Sequence, residues 1–192
     1  MGKVIYLTGV PASGNTTLCE RLTQSAEDII HFRFGRELTA FLEEEHSVTQ
    51  EELRSGTDHV STPHIVRQVD ERAIAVAEEH RDTKSIVIDT HALTSEAFGF
   101  RLTPMSIEQI SRLAPDIVVC VTASPAVVGK RILAASLGRP NLNEDQLRQQ
   151  ANLQQSLVVA YSVICGVPAY FIENNDEDQL VANVEQLKFL LT

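Results

Sequence analysis

The sequence has few cysteines, no long apolar run and fewer basic than acidic residues, and each shortage argues against a class of protein. Its three cysteines, Cys19, Cys120 and Cys165, stand apart in largely apolar surroundings. That setting favours buried free thiols over disulfides or a metal site, as in a reducing cytosol. No apolar run approaches the roughly 18 residues of a membrane span, so we expect no membrane role. The net charge of −10 disfavours nucleic acid as a partner.

The remaining composition is that of one globular domain. The 192 residues are 43% apolar and 22% charged, enough for one sizeable core. An apolar segment begins at Val4, so we expect no secretory leader and a cytoplasmic location. An acidic surface still allows a small phosphorylated ligand, because a few arginines can line a local pocket.

Short apolar segments alternate with amphipathic ones along the whole chain. This alternation is typical of an α/β fold in which a five-stranded parallel sheet is flanked by helices. Ligands of such sheets bind beyond the carboxyl ends of the strands. The predicted strands are 4–7, 29–32, 85–89, 116–121 and 169–172, and the predicted helices are 16–26, 35–46, 61–80, a short one before 114, 124–137, 144–165 and 177–191.

A glycine-rich segment directly follows the first predicted strand. It runs Gly9-Val10-Pro11-Ala12-Ser13-Gly14-Asn15-Thr16-Thr17 and approximates the pattern G-x-x-x-x-G-K-[ST]. The backbone N–H groups of such a P-loop hold nucleotide phosphates at a helix N-terminus, and its hydroxyl residue reaches Mg²⁺. The sequence therefore predicts an ATP site formed by Gly9, Pro11, Ala12, Ser13, Gly14, Asn15, Thr16 and Thr17.

Asn15 stands where the pattern requires lysine. An asparagine amide can donate a hydrogen bond but cannot balance charge on a transferring phosphoryl group, a loss of roughly 10²–10³-fold in rate. Three explanations are open: a nucleotide-binding protein without turnover, a laboratory substitution of lysine, or a cation supplied from elsewhere. The candidates for that cation are Lys3, Lys130, Arg131 and Arg139. The catalytic residues predicted on this basis are Asn15, Arg131 and Arg139.

A carboxylate and a histidine follow the third predicted strand. Asp89 ends an apolar segment and resembles a Walker B carboxylate, so Thr16 and Asp89 are the predicted Mg²⁺ ligands. The alternative for Asp89 is a strand-end carboxylate that caps a turn. His91 lies at the same edge and is a predicted substrate contact.

Several of these segments resemble the archaeal-type adenylate kinases, a family of P-loop nucleoside monophosphate kinases. The matching segments are 4–11, 34–35, 88–92 and 115–118, in the expected order. The resemblance implies a P-loop NTPase fold that moves the γ-phosphoryl group of ATP to AMP with Mg²⁺. It also implies a single domain over 1–192, with a monophosphate-binding insertion at about 33–80, a short lid at about 137–143 and frequent homo-oligomers. It places Phe34, Gly35 and Arg54 in the monophosphate site, with Asp89 and His91 near the phosphates. Arg36 is added to these predicted substrate contacts because it flanks Phe34-Gly35 and arginine binds phosphate.

The chain departs from that family in its positive charges. Besides Asn15, the long helix after the lid has Asn152 in place but Gln155 where the family has arginine, and the lid has only Arg139. We interpret these departures as a loss of cations around the phosphoryl group. Three hypotheses follow: an adenylate-kinase-like enzyme of reduced activity, a nucleotide-sensing pseudokinase, and a P-loop hydrolase that uses water as acceptor.

Overall fold

A central parallel sheet organises the chain. The computed structural model describes residues 2–26, 28–46, 63–96, 99–134 and 142–191. The sheet has the order β2-β3-β1-β6-β7, with every neighbouring pair parallel. Its strands are β1 (Val4–Gly9), β2 (Ile29–Arg33), β3 (Ser85–Thr90), β6 (Ile117–Thr122) and β7 (Ala169–Glu173). The predicted α/β class and all five predicted strands are therefore confirmed.

The described helices cover both faces of this sheet. They are α1 (Asn15–Gln24), α2 (Phe34–His46), α3 (Pro63–His80), α4 (Ile107–Leu113), α5 (Pro125–Ala134), α6 (Glu144–Cys165) and α7 (Glu177–Leu191). The predicted bounds of α6 and α7 are confirmed, and α1 ends two residues earlier than predicted. Hydrogen-bonded caps explain the sharp start of α6, because Asn143 and Gln146 form a reciprocal capping box.

Strand alternation divides the core into two layers. On one face, Ile5 and Leu7 of β1 pack with Leu18 of α1 and Leu187 of α7. On the other face, residues such as Tyr6 pack against α3, α4 and α6. Successive side chains of a strand point to opposite faces, so a parallel strand buried on both sides reads as continuously apolar.

An antiparallel hairpin lies outside the main sheet and was not predicted. Its strands are β4 (Leu93–Glu96) and β5 (Gly99–Leu102), and the amide of Thr103 donates to the carbonyl of Ala92 at its base, at 2.8 Å. The two strands are short and mostly polar, so periodicity gave no signal for them. The hairpin matters because it contributes to the wall of the cavity described below.

Two of the predicted regions fall partly outside the described residues. Arg54 in the predicted insertion and Arg139 in the predicted lid both lie there, as do residues 137–141 of that lid. Cys19 and Cys120 are buried and Cys165 is half-buried, and all three are free thiols, as predicted. Among the helices described, none has the combined length and apolarity that crossing a bilayer would require.

Candidate functional site: a P-loop and an adjoining cavity

The glycine-rich segment forms the turn between β1 and α1, and two of its glycines are sterically required. Gly14 has φ of 97°, a left-handed conformation that glycine adopts without strain. A Cβ atom at Gly14 would lie 2.3 Å from Asn174 Nδ2, and one at Gly9 would lie 2.3 Å from the carbonyl oxygen of Val121. Gly9 therefore has no room for a side chain against the backbone of Val121, whereas at Gly14 a side chain would strain the left-handed backbone and displace Asn174.

Side chains from the C-terminal half of the chain hold this loop in place. Asn174 Nδ2 donates to the carbonyl of Ser13 at 2.9 Å. Arg131 donates to the carbonyls of Ala12 and Ser13 at 3.2 and 3.1 Å. Gly14 is the N-cap of α1, and no side chain caps the helix there. The positive end of α1 is thus available to an anion.

Asn15 is folded against the loop. Its side chain is 2% exposed, and its Oδ1 accepts a hydrogen bond from Ser13 Oγ at 2.8 Å. Its Nδ2 is buried and has no hydrogen-bond partner among the described residues. A buried donor without a partner costs about 1–3 kcal/mol, so this amide is a ready hydrogen-bond donor to an oxyanion that enters the loop. It still supplies no positive charge.

The predicted substitutes for the missing lysine are placed differently from one another. Lys3 Nζ donates to the carbonyl of Leu190 at 2.9 Å, at the amino end of β1 and therefore at the far end of the strand from the loop. Lys3 is thus excluded. Lys130 is exposed on α5. Arg131 contacts the loop, but its guanidinium also donates to the carbonyl of Asn175, at 3.3 Å, so three of its N–H donors are directed at backbone carbonyls.

Thr16 and Asp89 meet at the base of the loop. Thr16 Oγ1 donates to Asp89 Oδ2 at 2.9 Å. Asp89 is 4% exposed, and its second oxygen, Oδ1, is buried without a partner among the described residues. A hydroxyl and a carboxylate with a free oxygen are the ligands that Mg²⁺ prefers, so the residues present fit that ion.

Two histidines lie near Asp89. His31 Nε2 lies 3.4 Å from Asp89 Oδ2, and His91 Nδ1 lies 3.1 Å from the carbonyl oxygen of Gly9. Burial acts to raise the pKa of Asp89, but hydrogen bonds from His31 and Thr16 and the nearby His91 outweigh it and lower the pKa. Asp89 is therefore held as a carboxylate. The His91–Gly9 contact requires the tautomer in which Nδ1 carries the proton.

One cavity of about 270 Å³ joins the loop to the acceptor region predicted from the resemblance. It extends from Pro11 and Thr16 to Phe34 and Arg36. The predicted site residues that line it are Pro11, Thr16, Phe34, Gly35, Arg36, Asp89 and His91. The structure thus brings together seven of the residues predicted from distant parts of the chain. Thr17 is exposed on α1, and Arg131 supports the loop from outside the cavity.

Sequence reasoning missed two charged residues in the cavity wall. Asp70 of α3 is 3% exposed, and its Oδ2 has no partner among the described residues. Burial, with a smaller contribution from Glu71, raises the pKa of Asp70 to about 7. Arg101 of β5 forms an ion pair with Glu96 at 2.7 Å. The available signal for Asp70 was its position on the apolar face of α3, where a carboxylate is unusual.

The prediction based on Gln155 is wrong. Helical periodicity turns Gln150 and Gln154 inward, and Gln154 Nε2 donates to Thr8 Oγ1 at 2.9 Å. Asn152 is exposed, and neither it nor Gln155 lines the cavity. Gln155 therefore says nothing about charge at the site. Both inward positions, Gln150 and Gln154, are also neutral, and Gln150 lines the cavity.

Comparison with known protein families and structures agrees with this geometry. The sequence profile of the family described as AAA domain matches residues 8–148. Adenylate kinase from Methanopyrus kandleri is 26% identical, over 92% of this chain and 92% of its own length. Adenylate kinase from Methanothermobacter thermautotrophicus is 25% identical, over 98% and 99%. The predicted resemblance to archaeal adenylate kinases is confirmed.

Solved structures support the fold. Shikimate kinase from Bacteroides thetaiotaomicron superposes with a TM-score of 0.62 at 19% identity, covering 100% of this chain and 99% of that one. Shikimate kinase from Acinetobacter baumannii, solved with shikimate, gives 0.59 at 19% identity and covers 98% and 93%. At such identity the likeness concerns the fold alone, and the P-loop NTPase fold is confirmed.

Proposed function

This chain belongs to the AAA domain family of P-loop proteins, and from that premise we propose that it binds ATP and transfers the γ-phosphoryl group to AMP, as its relatives' name implies. The observation that carries the proposal is the continuous cavity that runs from Thr16 to Arg36. Transfer between two nucleotides requires donor and acceptor phosphates in line within one enclosed space.

The donor half of the proposal rests on the loop. Its backbone and the N-terminus of α1 would bind the α- and β-phosphates of ATP, with Asn15 Nδ2 as one further donor. Thr16 and Asp89 would hold Mg²⁺, which supplies charge neutralisation at the phosphates when it is bound. Asp89 suits this role because its carboxylate is charged and has one oxygen without a partner among the described residues.

The acceptor half of the proposal rests on the far end of the cavity. Phe34 is 8% exposed and offers an apolar wall, whereas Arg36 is exposed and can reach a phosphate. A Cβ atom at Gly35 would meet nothing within 4 Å, so the backbone there is open to a ligand. Arg54, in the same predicted insertion, lies outside the described residues and stays a predicted contact.

A second candidate function is favoured by the position of Asn15. Asn15 is neutral, and the guanidinium of Arg131 donates to backbone carbonyls and lies outside the cavity, so neither side chain directs a positive charge into the cavity. A nucleotide-sensing pseudokinase has this combination of an intact phosphate site and a weak catalytic centre. Arg139, outside the described residues, is the remaining candidate for a lid cation.

A coupled assay of ADP formation separates these functions. It uses ATP with AMP, with each other nucleoside monophosphate and with no acceptor, for the wild type, Asn15→Lys and Asn152→Lys. The last variant adds the same charge at an exposed site on α6 and serves as the control. We expect slow AMP-dependent turnover in the wild type and a rise of about 10²–10³-fold in kcat in Asn15→Lys alone.

Each other outcome selects a different function. No turnover by the wild type, together with ATP binding, would establish the pseudokinase. ADP formation that is equal with and without an acceptor would establish the hydrolase. Equal gains in Asn15→Lys and Asn152→Lys would show that net charge, not the lysine position, limits the rate.

We also propose a cytoplasmic location and a homo-oligomeric state. Three free cysteines fit a reducing cytoplasm, where the ATP, ADP and AMP substrates are found. A homo-oligomer is supported by exposed apolar side chains on adjacent elements, Val159 and Val163 of α6 and Phe171 of β7, which are 51%, 77% and 48% exposed.

A further inference from the structure

A thiol, an imidazole and a carboxylate converge behind the P-loop. They belong to Cys19 of α1, His31 of β2 and Asp89 of β3. Each residue offers one ligand atom: a sulfur, a ring nitrogen and a carboxylate oxygen. These three atoms all lie within 4.8 Å of one another. This is the one such group of three or more potential metal-binding side chains within the described part of the chain.

Backbone geometry accounts for the convergence. Cys19 lies three residues after Thr16, so both side chains lie on the face of α1 that packs on the sheet. In the register of β2 and β3, His31 is opposite Val87, which shares a strand face with Asp89 two residues later. That face is the one covered by α1. The fold therefore brings the three groups together, and their spacing in the sequence does not predict it.

From this arrangement we infer that Cys19, His31 and Asp89 form a binding site for a transition-metal ion of the Zn²⁺ class. Thiolate and imidazole ligands favour such ions over Mg²⁺, which prefers oxygen. Zn²⁺ is commonly held by three protein ligands with a fourth position open to water. Here water or Thr16 would take that fourth position. Ligand atoms around a tetrahedral Zn²⁺ lie roughly 3.3–3.8 Å apart, so the side chains need to close by about 1 Å.

The orphaned oxygen of Asp89 is independent support for a cation. Asp89 is 4% exposed, and its Oδ1 has no partner among the described residues, which is a costly state for a buried carboxylate. An ion can reach it, because Asp89 and Thr16 line the cavity. Binding would form a bond from the ion to the sulfur of Cys19 and release the thiol proton to solvent.

The site has a consequence for the proposed phosphoryl transfer. A Zn²⁺ ion held by Cys19 and His31 would take up the free oxygen of Asp89, which the proposed Mg²⁺ site also needs. The soft ion would thus compete with Mg²⁺ for the same carboxylate. Metal binding itself needs no nucleotide, so its test stands apart from the test of the proposed function.

Cobalt absorption provides the test, because Co²⁺ bound to a thiolate has a charge-transfer band in the near ultraviolet. The full-length chain, treated with a chelator and free of nucleotide, is titrated with Co²⁺ and then with Zn²⁺ as competitor. The variants are Cys19→Ala and His31→Ala, and the control is Cys165→Ala, which removes a half-buried thiol elsewhere. Thermal unfolding of each variant checks that it is folded.

We expect one Co²⁺ per chain with a thiolate band that Zn²⁺ displaces. Cys19→Ala should lose the band, His31→Ala should bind more than about 100-fold more weakly, and Cys165→Ala should behave as the wild type. The inference is overturned by absence of saturable binding, by a band that persists in Cys19→Ala, or by a band that disappears in Cys165→Ala. If Cys19→Ala does not fold, the His31→Ala result decides alone.

Discussion

At the scale of single residues, the cavity is governed by buried polar groups that lack partners. Asn15, Asp70 and Asp89 each have a buried side-chain atom with no hydrogen-bond partner among the described residues. Each such atom costs stability in the free protein, and each lies at the P-loop or in the cavity beside it. Such a cluster of unpaired buried polar atoms is expected of a preformed ligand site, since a bound ligand can supply the missing hydrogen-bond partners.

Asp70 makes stability depend on pH. Its pKa is raised from 3.8 to about 7 by burial, so the folded chain holds a proton that the unfolded chain has lost between these values. Stability therefore falls as pH rises from about 4 to 7 and is level above that range. We expect Asp70→Asn to raise the free energy of unfolding at pH 8 by on the order of 2–4 kcal/mol, with little change at pH 4.

Urea unfolding at pH 4 and at pH 8 measures this effect. Glu79→Gln is the control, because it removes a carboxylate of the same helix whose side chain is 73% exposed. An equal effect of both substitutions would show that net charge, and not burial of Asp70, sets the pH dependence.

At the scale of elements, the beginnings of the helices at the carboxyl edge of the sheet position the site. No side chain caps the start of α1, so its first backbone N–H groups can bind a ligand. The start of α6 is instead closed by Asn143, whose side chain accepts from the amide of Gln146 at 2.9 Å. The two helices begin at the same edge of the sheet, but only α6 has a side-chain cap. The uncapped backbone N–H groups are therefore those of α1, at the loop.

Removal of the α6 cap should therefore lower stability by the ordinary value of an N-cap. We expect Asn143→Ala to reduce the free energy of unfolding by about 1 kcal/mol. Gln149→Ala, at an exposed position inside the same helix, should be nearly neutral, since glutamine and alanine are both good helix formers. Chemical denaturation of both variants checks this, and equal losses would contradict a role for the cap.

At the scale of the whole molecule, the site exists because distant segments meet at one edge of the sheet. Strands β1 and β3 are adjacent although more than 70 residues separate them in sequence, and this pairing brings the loop beside Asp89. Asn174, directly after β7, and Arg131 of α5 then support the loop from the other side. Ligand binding at the loop should therefore stabilise the whole fold.

ATP at about 100 times its dissociation constant should stabilise the wild type by about 2.7 kcal/mol, or roughly 5–10 °C in Tm. Gly14→Ala should abolish this shift, because its Cβ would displace Asn174, whose Nδ2 holds the carbonyl of Ser13 in the loop. Gly166→Ala is the matched control. Gly166 also has a left-handed backbone, with φ of 66°, but caps the opposite end of α6, and a Cβ there meets nothing within 4 Å.

Differential scanning fluorimetry with and without ATP compares the two. Both variants should lose some stability in the absence of ligand, since alanine is strained in this conformation by roughly 1–2 kcal/mol. Only Gly166→Ala should keep the ATP-induced shift. A full shift in Gly14→Ala would argue that ATP binds somewhere other than this loop.

The five strands, most helix bounds and the loop follow from local signals in the sequence. Continuous apolar runs such as 117–121 are buried on both faces, and the caps and glycines that end the helices act locally, so their signals lie within a few residues. For the same reason the loop at Gly9 and the carboxylate at Asp89 were found in advance. The inward-facing side of α6 was not predicted correctly, because a shift of one residue along the helix exchanges Gln154 for Gln155.

Tertiary structure decided which side chains meet. Asp70 and Arg101 carry no motif and enter the cavity wall only through the packing of α3 and of the hairpin. Cys19, His31 and Asp89 are 12 and 58 residues apart, and only the pairing of β2 with β3 and the packing of α1 on the sheet bring them together. The position of Asn15 beneath the loop is likewise set by contacts with Ser13 and Gly9. Local interactions choose the elements, whereas long-range packing chooses the neighbours on which chemistry depends.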